Sequence, residues 1–346
     1  MGCARYYNHT SLQGWSYLPR TGSWHPADAT HSHPLLRALA CEWGETLKHL
    51  AIQMKPRPLT AWWPLMIESS QPATRDDVAL HYDQLDRFYR EVWGEHVHHG
   101  LWRTGRETSA EATRNLTDAV VAKARLAAGM TLCDVGCGYG QTARIIAQEQ
   151  RVKVTGLTVS AAQQRYAVSA TPAEVDATFL LQDWLHNDRA AGEFDALIAI
   201  ESTEHMADKA LVFSEAARVL KPGGRLVVCA WLAREQLKPW EQRHLIEPIC
   251  REGRMPGMGT ENEYTRWMTE AGFTAISAED VSMQVARTWP ICAWRFCVGV
   301  LRRPGYLRFL LDRKNDNRIF ALTMLRLWLA YHSGAMRYLI FSAVKA

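Results

Sequence analysis

The 346-residue chain has no strong excess of charge: 40 Lys and Arg face 36 Asp and Glu, a net of +4. That is too little to argue for a nucleic-acid surface, so no nucleic-acid partner is expected. Its eight cysteines form no CxxC pair, and the nearest two, Cys133 and Cys137, flank a glycine turn. A disulfide scaffold is excluded, and reduced thiols in a cytoplasmic protein are the expectation. No uncharged apolar run approaches the ~18 residues of a spanning helix. The best candidate, 319–344, is broken by Arg326, His332 and Arg337. Residues 1–17 hold no signal-peptide core, and Tyr6 stands where N-myristoylation needs Ser or Thr. Internal repeats are lacking too. What is present is an ordinary globular composition, 47% hydrophobic and 22% charged, enriched in Trp (14) and Met (11). Disordered, collagen-like and coiled-coil proteins are thereby excluded.

The first 64 residues differ from the rest. They carry Trp15, Trp24, Trp43, Trp62 and Trp63 but only Asp28, Glu42 and Glu45 as acids. Beyond one helix over about 34–54 they show no apolar periodicity. They read as a leader without a core of its own, upstream of a domain over 65–346, although a substrate-side extension fits the same composition. From residue 76 the pattern becomes regular. Val78, Tyr82, Leu85, Phe88, Tyr89 and Trp93 recur at helical spacing over 76–93, and a second helix covers 109–127. These form a helical cap, 76–127. Strands at 131–135, 153–158, 177–181, 196–200 and 225–230 then alternate with helices at 141–150, 161–169 and 209–220. Strands separated by helices of that length imply βαβ units in a doubly wound, mostly parallel α/β sheet of seven strands. Within the core, 128–282, a helix at 261–271 and a strand at 275–281 follow. An apolar and basic lid occupies 283–337, and a last strand spans 338–344.

The strongest local signal is Thr131-Leu-Cys-Asp-Val-Gly-Cys-Gly-Tyr-Gly140, a strand running through glycines into a helix. Gly136, Gly138 and Gly140 allow a tight turn with positive φ and close approach to a ligand, while the helix N-terminus favours an anionic group. The spacing GxGxG departs from the dinucleotide GxGxxG. Asp134, just before the first glycine, suits a ligand that carries a cationic amine beside its carboxylate. Three further strand ends carry polar residues where such sheets bind ligands: Thr158 with Gln163 one turn on, Asp183 with Trp184, and Glu201-Ser-Thr-Glu-His205.

These residues resemble the class I S-adenosylmethionine (SAM)-dependent methyltransferases. DVGCGYG is similar to their first motif, Gly156-Leu-Thr-Val-Ser160 to a variant second motif, Gln182-Asp183 to the third, and Leu220-Lys-Pro-Gly-Gly-Arg225 to the turn before the fifth strand. The likeness extends over 78–346. Within the class, His81-Tyr-Asp83 and Trp93-Gly-Glu-His-Val-His-His-Gly-Leu-Trp102 resemble the tocopherol methyltransferase-like group, related to the sarcosine/dimethylglycine and cyclopropane-fatty-acid-type enzymes. The resemblance implies a Rossmann-like methyltransferase fold with SAM as cofactor. Asp134, Gly136, Cys137 and Gly138 would hold its methionine part, Thr158 and Gln163 its ribose, Asp183 and Trp184 its adenine. Tyr82, His99, Gly100 and Glu201 would close around it. The usual ribose acid is absent, since Thr158 occupies its place.

The methyl of SAM is already activated, so the protein need only align the acceptor and exclude water. A phenol, or the ring carbon beside it, gains from losing a proton, whereas an amine need only arrive neutral. His205 and Glu204 are the candidate bases, with loop-shaping by a hydrogen-bonded His205 as the competing reading. Glu95, His96, His98 and His99 cluster, but extended backbone throws His96 and His98 to one side and His99 to the other, and no metal is expected. The lid aromatics, Trp289, Trp294, Phe296, Tyr306 and Phe309 among arginines, suit a flat or prenylated acceptor and permit peripheral membrane contact, although plain amphipathic helices have the same pattern. The expected reaction is C-methylation of a small aromatic or prenylated, tocopherol- or quinol-like compound. N-methylation of a small amine, or SAM binding without catalysis, are the alternatives.

Overall fold

The computed structural model describes residues 15–18, 23–26, 66–69, 73–92, 96–302 and 320–346. The chain divides into two units at Trp63 and Pro64. In the first, β1 (Trp15–Leu18) pairs antiparallel with β2 (Ser23–Pro26), a hairpin the sequence reading did not anticipate. The helix expected over 34–54 lies outside the described residues.

In the second unit a seven-stranded sheet forms the core. After the short β3 (Ile67–Glu68) come α1 (Arg75–Val92) and α2 (Ser109–Ala124). The sheet is then built by β4 (Thr131–Val135), α3 (Gln141–Gln150), β5 (Lys153–Thr158), α4 (Ala161–Ser169), β6 (Ala177–Leu181), β7 (Phe194–Ile200), α5 (Lys209–Val219) and β8 (Leu220–Ala233). A helical run follows: α6 (Pro239–Glu241), a π turn (Gln242–Ile246) and α7 (Glu247–Glu252). β9 (Gly257–Met258) pairs with β3, and α8 (Glu261–Glu270), β10 (Phe273–Asp280), α9 (Ser282–Val285), α10 (Thr288–Arg302), α11 (Phe320–His332) and β11 (Met336–Lys345) complete it. The sheet order is β10-β11-β8-β7-β4-β5-β6. Only β11 runs against its neighbours, β8 and β10; the remaining neighbour pairs are parallel.

Alternation along the strands makes the layers. Leu132, Ile198, Val227 and Ile340 face α2, α3, α10 and α11, while Cys133, Leu197, Val228 and Phe341 face α5 and α8. Fully burying each such large side chain contributes ~1.5–3 kcal/mol. The β8 turn is adjusted by an irregularity: Phe194 pairs with Leu220, but Ala196 pairs with Arg225, so Lys221-Pro-Gly-Gly224 is looped out. Among the described residues no helix is long and apolar enough to cross a membrane.

The helix ends follow their sequences. Thr74 and Asp77 reciprocally cap α1: the Thr74 N–H and hydroxyl donate to Asp77 Oδ2, and the Asp77 N–H donates to Thr74 Oγ1. Thr108 and Glu111 do the same for α2. Asp83, on α1, accepts from the Ser160 hydroxyl at 2.5 Å and the Ala162 N–H at 3.1 Å, tying the cap helix to the N-terminus of α4.

Candidate active site

The carboxyl ends of β4, β5, β6 and β7 converge on a cavity of about 250 Å³, roofed by α1. Tyr82, Gly136, Gly138, Thr158, Gln163, Asp183, Trp184, Glu201 and His205 all line it. A smaller cavity beside it, about 40 Å³, holds Asp134 and Cys137 with His96 and His98. A third, about 70 Å³, adjoins the first across Tyr82, Val97, Glu201 and His205 and is walled by Trp231, Trp289 and Leu327. His99 and Glu204 face that third space. Thirteen of the fourteen residues singled out in the sequence therefore meet at three contiguous spaces.

Gly100 is the exception. It lines none of these cavities; a Cβ there would fall 2.7 Å from both Ala112 and the Trp102 ring, so the glycine serves packing. The two loop glycines also divide their work. Gly136 (φ +80°) lies under Ser202, whose Cβ would be 2.3 Å from an added Cβ, and the Ser202 hydroxyl donates to the Val135 carbonyl at 2.5 Å. Gly138 (φ +55°) is open on the cavity side, with Gln163 Nε2 the nearest group at 4.0 Å. Cys137 is set by a different contact, its sulfur resting where a Gly156 side chain would be.

Several polar groups are already committed within the protein. The Thr158 hydroxyl donates to Gln163 Oε1 at 3.0 Å and accepts from the Ser160 N–H, so it orients the Gln163 amide whose NH₂ faces the glycine loop. Asp183 caps the turn Trp184–His186 through the Leu185 N–H at 3.0 Å, and the Trp184 indole donates to the Val212 carbonyl. Gln182 Oε1, buried on the cavity wall, has no hydrogen-bond partner. Asp134 sits 3% exposed at the strand end, and burial alone pushes its carboxyl up to about 7. A buried acid of that kind suits a ligand ammonium, an orphaned acceptor suits an exocyclic amine, and the open face of Gly138 admits ligand against backbone. The walls thus fit SAM.

The third space is richer in titratable groups. Glu201, in the left-handed region at φ +52°, accepts from the His99 N–H at 2.7 Å and the Tyr338 hydroxyl at 2.8 Å, and pairs with His99 Nδ1 at 2.9 Å. Burial acts most strongly to raise the Glu201 carboxyl, but His99 and its hydrogen bonds outweigh it and hold it below the usual range. His205 Nδ1 lies 3.3 Å from the Arg254 carbonyl, which makes it the protonated nitrogen; Nε2 then accepts from the Tyr82 hydroxyl at 3.1 Å. Burial pushes His205 down to about 4, so it is neutral at physiological pH with its lone pair engaged. His205 thus lines the cavity while hydrogen-bonded on both sides. Glu204 accepts from the Trp231 N–H at 2.6 Å and burial raises its carboxyl, while Lys209 donates to the carbonyls of Thr203, Glu204 and Met206 and ties down the same turn. His96 and His98 meet each other and Thr142, with His99 turned away to Glu201, as the extended backbone requires. No group of metal-ligand type occurs among the described residues.

Sequence reasoning missed Gln182 as a lining residue and assigned no place in the site to Trp231, Tyr331 or Tyr338, although Met336-Arg-Tyr338 closes the tail that resembles the family. Gln182 was legible beside Asp183. The others arrive from β8, α11 and β11, and nothing local in the sequence places them against His99.

Fold and site together define a class I SAM-dependent methyltransferase. The family profile described as mycolic acid cyclopropane synthetase matches residues 69–297, and the chain belongs to that family. It is 29% identical over 260 residues to the chloroplastic tocopherol O-methyltransferase of Arabidopsis thaliana, covering 68% of this chain and 74% of the relative. It is 36% identical over 231 residues to the 27-O-demethylrifamycin SV methyltransferase of Amycolatopsis mediterranei, covering 64% and 83%. The cyclopropane synthase MmaA2 of Mycobacterium tuberculosis shares the fold with a TM-score of 0.69 at 21% identity, over 80% of this chain and all of that one (100%).

Proposed function

We propose that the protein transfers the methyl of SAM to a small aromatic or prenylated acceptor bearing a hydroxyl, with the new bond at the ring carbon beside it. One observation carries this reading: the third cavity is apolar and indole-walled, adjoins the cofactor cavity, and brings imidazole and carboxylate groups together with the Tyr82 phenol. Flat apolar walls bind a ring, and basic groups at one spot favour a nucleophile that must shed a proton. The relative named for tocopherol supports the acceptor class.

Bound in the larger cavity, SAM supplies an electrophilic methyl and a neutral thioether leaving group. On this reading Asp134 takes its ammonium, the Gly136–Gly138 backbone and the α3 N-terminus its carboxylate. The Gln163 amide, oriented by Thr158, takes the ribose, and Asp183 with Gln182 the adenine amine. Tyr82 and Glu201 separate the cofactor from the acceptor space and help exclude water. Orientation of this kind can contribute ~7–11 kcal/mol of the barrier.

The test is a screen of phenols, hydroquinones, prenylated quinols and amines with ¹³C-methyl SAM, read by the chemical shift of the transferred methyl. A ring-methyl signal on a hydroquinone is expected. Labelled methyl found only on nitrogen, or only as a methyl ether, overturns the assignment.

A further inference from the structure

The acceptor space contains two imidazoles in unlike settings. His205 is hydrogen-bonded to a backbone carbonyl on one side and to the Tyr82 hydroxyl on the other. A carbonyl orients an imidazole but offers no negative charge when a proton arrives. His99 is different. Its Nδ1 faces the Glu201 carboxylate at 2.9 Å, its main-chain N–H holds the other oxygen of the same carboxylate, and Tyr338 completes that oxygen's shell. The pairing assigns the proton to Nδ1 and leaves Nε2 as the acceptor nitrogen. Tyr331 Oη lies at 3.4 Å from Nε2, the long limit of a hydrogen bond, so an entering hydroxyl competes with a weak partner.

The walls around this ring are aromatic. Four aromatic rings enclose His99: Trp231 and Trp289 with centroids at 5.1 Å, Tyr338 at 5.2 Å and Tyr331 at 5.8 Å. His99 is 1% exposed, so the attraction of Glu201 acts with little screening by water. The titratable groups facing this ring or its pocket are Glu201, Tyr331, Tyr338, Glu204, His205 and Tyr82, with His98 bonded to the His99 carbonyl behind it.

We propose that His99, oriented by Glu201, is the general base that accepts the acceptor's hydroxyl proton, and that His205 positions Tyr82 and the loop. The inference rests on the proposed hydroxyl-bearing acceptor but concerns a different residue from those expected to act as base. In the step, the acceptor O–H proton passes to His99 Nε2. The electron pair of the oxygen–ring system forms the new bond to the methyl carbon as the carbon–sulfur bond breaks, its pair remaining on sulfur. When the attack is at carbon, the methylated ring carbon loses its proton to solvent, restoring aromaticity, and the single C=O formed takes back the proton held on His99 Nε2 to become a hydroxyl again. Net, one proton is released per methyl transferred. Glu201 and Tyr338 are positioning residues, since they act through the imidazole.

The experiment uses the full chain loaded with S-adenosylhomocysteine and 4-nitrophenol as a chromophoric hydroxyl. Wild-type protein is expected to bind the probe with its phenolate band visible below the pH where free probe ionises. His99→Asn keeps a donor toward Glu201 while removing the Nε2 lone pair, and should lose the phenolate band with unchanged S-adenosylhomocysteine affinity. His205→Ala should retain the band. With any hydroquinone the screen returns, kcat of His99→Asn should fall roughly 10²–10⁴-fold. A wild-type spectrum without phenolate, a band that persists in His99→Asn, or a band lost in His205→Ala alone overturns the proposal. Because the chromophore needs no turnover, a failed acceptor screen with an intact phenolate band would refute the acceptor class and leave His99 in place.

Discussion

Asp134 and the glycines beyond it show how single residues divide between stability and binding. Burial raises the Asp134 carboxyl to about 7 from an ordinary 3.8, so the folded protein holds this proton more tightly than the unfolded chain. The sign follows: no penalty exists below the unfolded value, stability falls as pH rises from there, and the full cost is present above about 7. Asp134→Asn should therefore stabilise the cofactor-free protein by roughly 2–4 kcal/mol above neutrality and by little in acid, while SAM affinity collapses. Denaturant titrations at two pH values with calorimetric SAM binding check both halves. In wild type, binding the SAM ammonium near about pH 6 should release up to one proton, visible as a buffer-dependent heat. The glycines predict a second contrast. Gly136→Ala drives a methyl into Ser202 and should cost about 2–4 kcal/mol in thermal unfolding. Gly138→Ala meets open space and should cost about 1 kcal/mol of left-handed strain, with SAM affinity lowered roughly tenfold.

At the scale of elements, the acceptor space depends on how α11 is held. Glu252, at the end of α7 and 7% exposed at its side chain, receives Arg326 Nη1 at 2.5 and 2.6 Å and the Thr323 hydroxyl, both from α11. Thr323 and Leu327 on that helix line the pocket, as do Ile249 and Gly253 on the α7 side. Arg326→Ala leaves the nearly buried Glu252 carboxylate with only the Thr323 hydroxyl and a longer contact to Arg251 at 3.5 Å, and should destabilise by about 1–2 kcal/mol. Hydrogen exchange in α11 should accelerate while the sheet keeps its protection. Equal acceleration across the sheet would show that α11 is no separate unit.

For the molecule as a whole, the three cavities and the seven-stranded sheet are all built from residues after 64, and the family match begins at 69. We propose that residues 1–64 are dispensable for methyl transfer. A chain lacking residues 1–64 should bind SAM within about threefold of the full chain and turn over the same acceptor; loss of either refutes this. Much of the rest was legible. Short apolar strands separated by helices specified the sheet, because parallel strands need helical crossovers. The glycine loop and three strand ends marked the cofactor cavity, because such sheets gather ligands at their carboxyl edge. The helical run 239–252 with its π turn went unread; Pro239 and Pro248 interrupt its apolar pattern.

By itself the order of residues determined the alternating layers, the tight turn after β4 and the acid before it, since each depends on neighbours a few positions apart. Which imidazole meets a carboxylate was settled only in three dimensions. His99 is joined to Glu201 across 102 positions and to Tyr331 across 232. No local spacing encodes such contacts, because they arise where the cap, the β7 turn and the lid helices pack over one edge of the sheet.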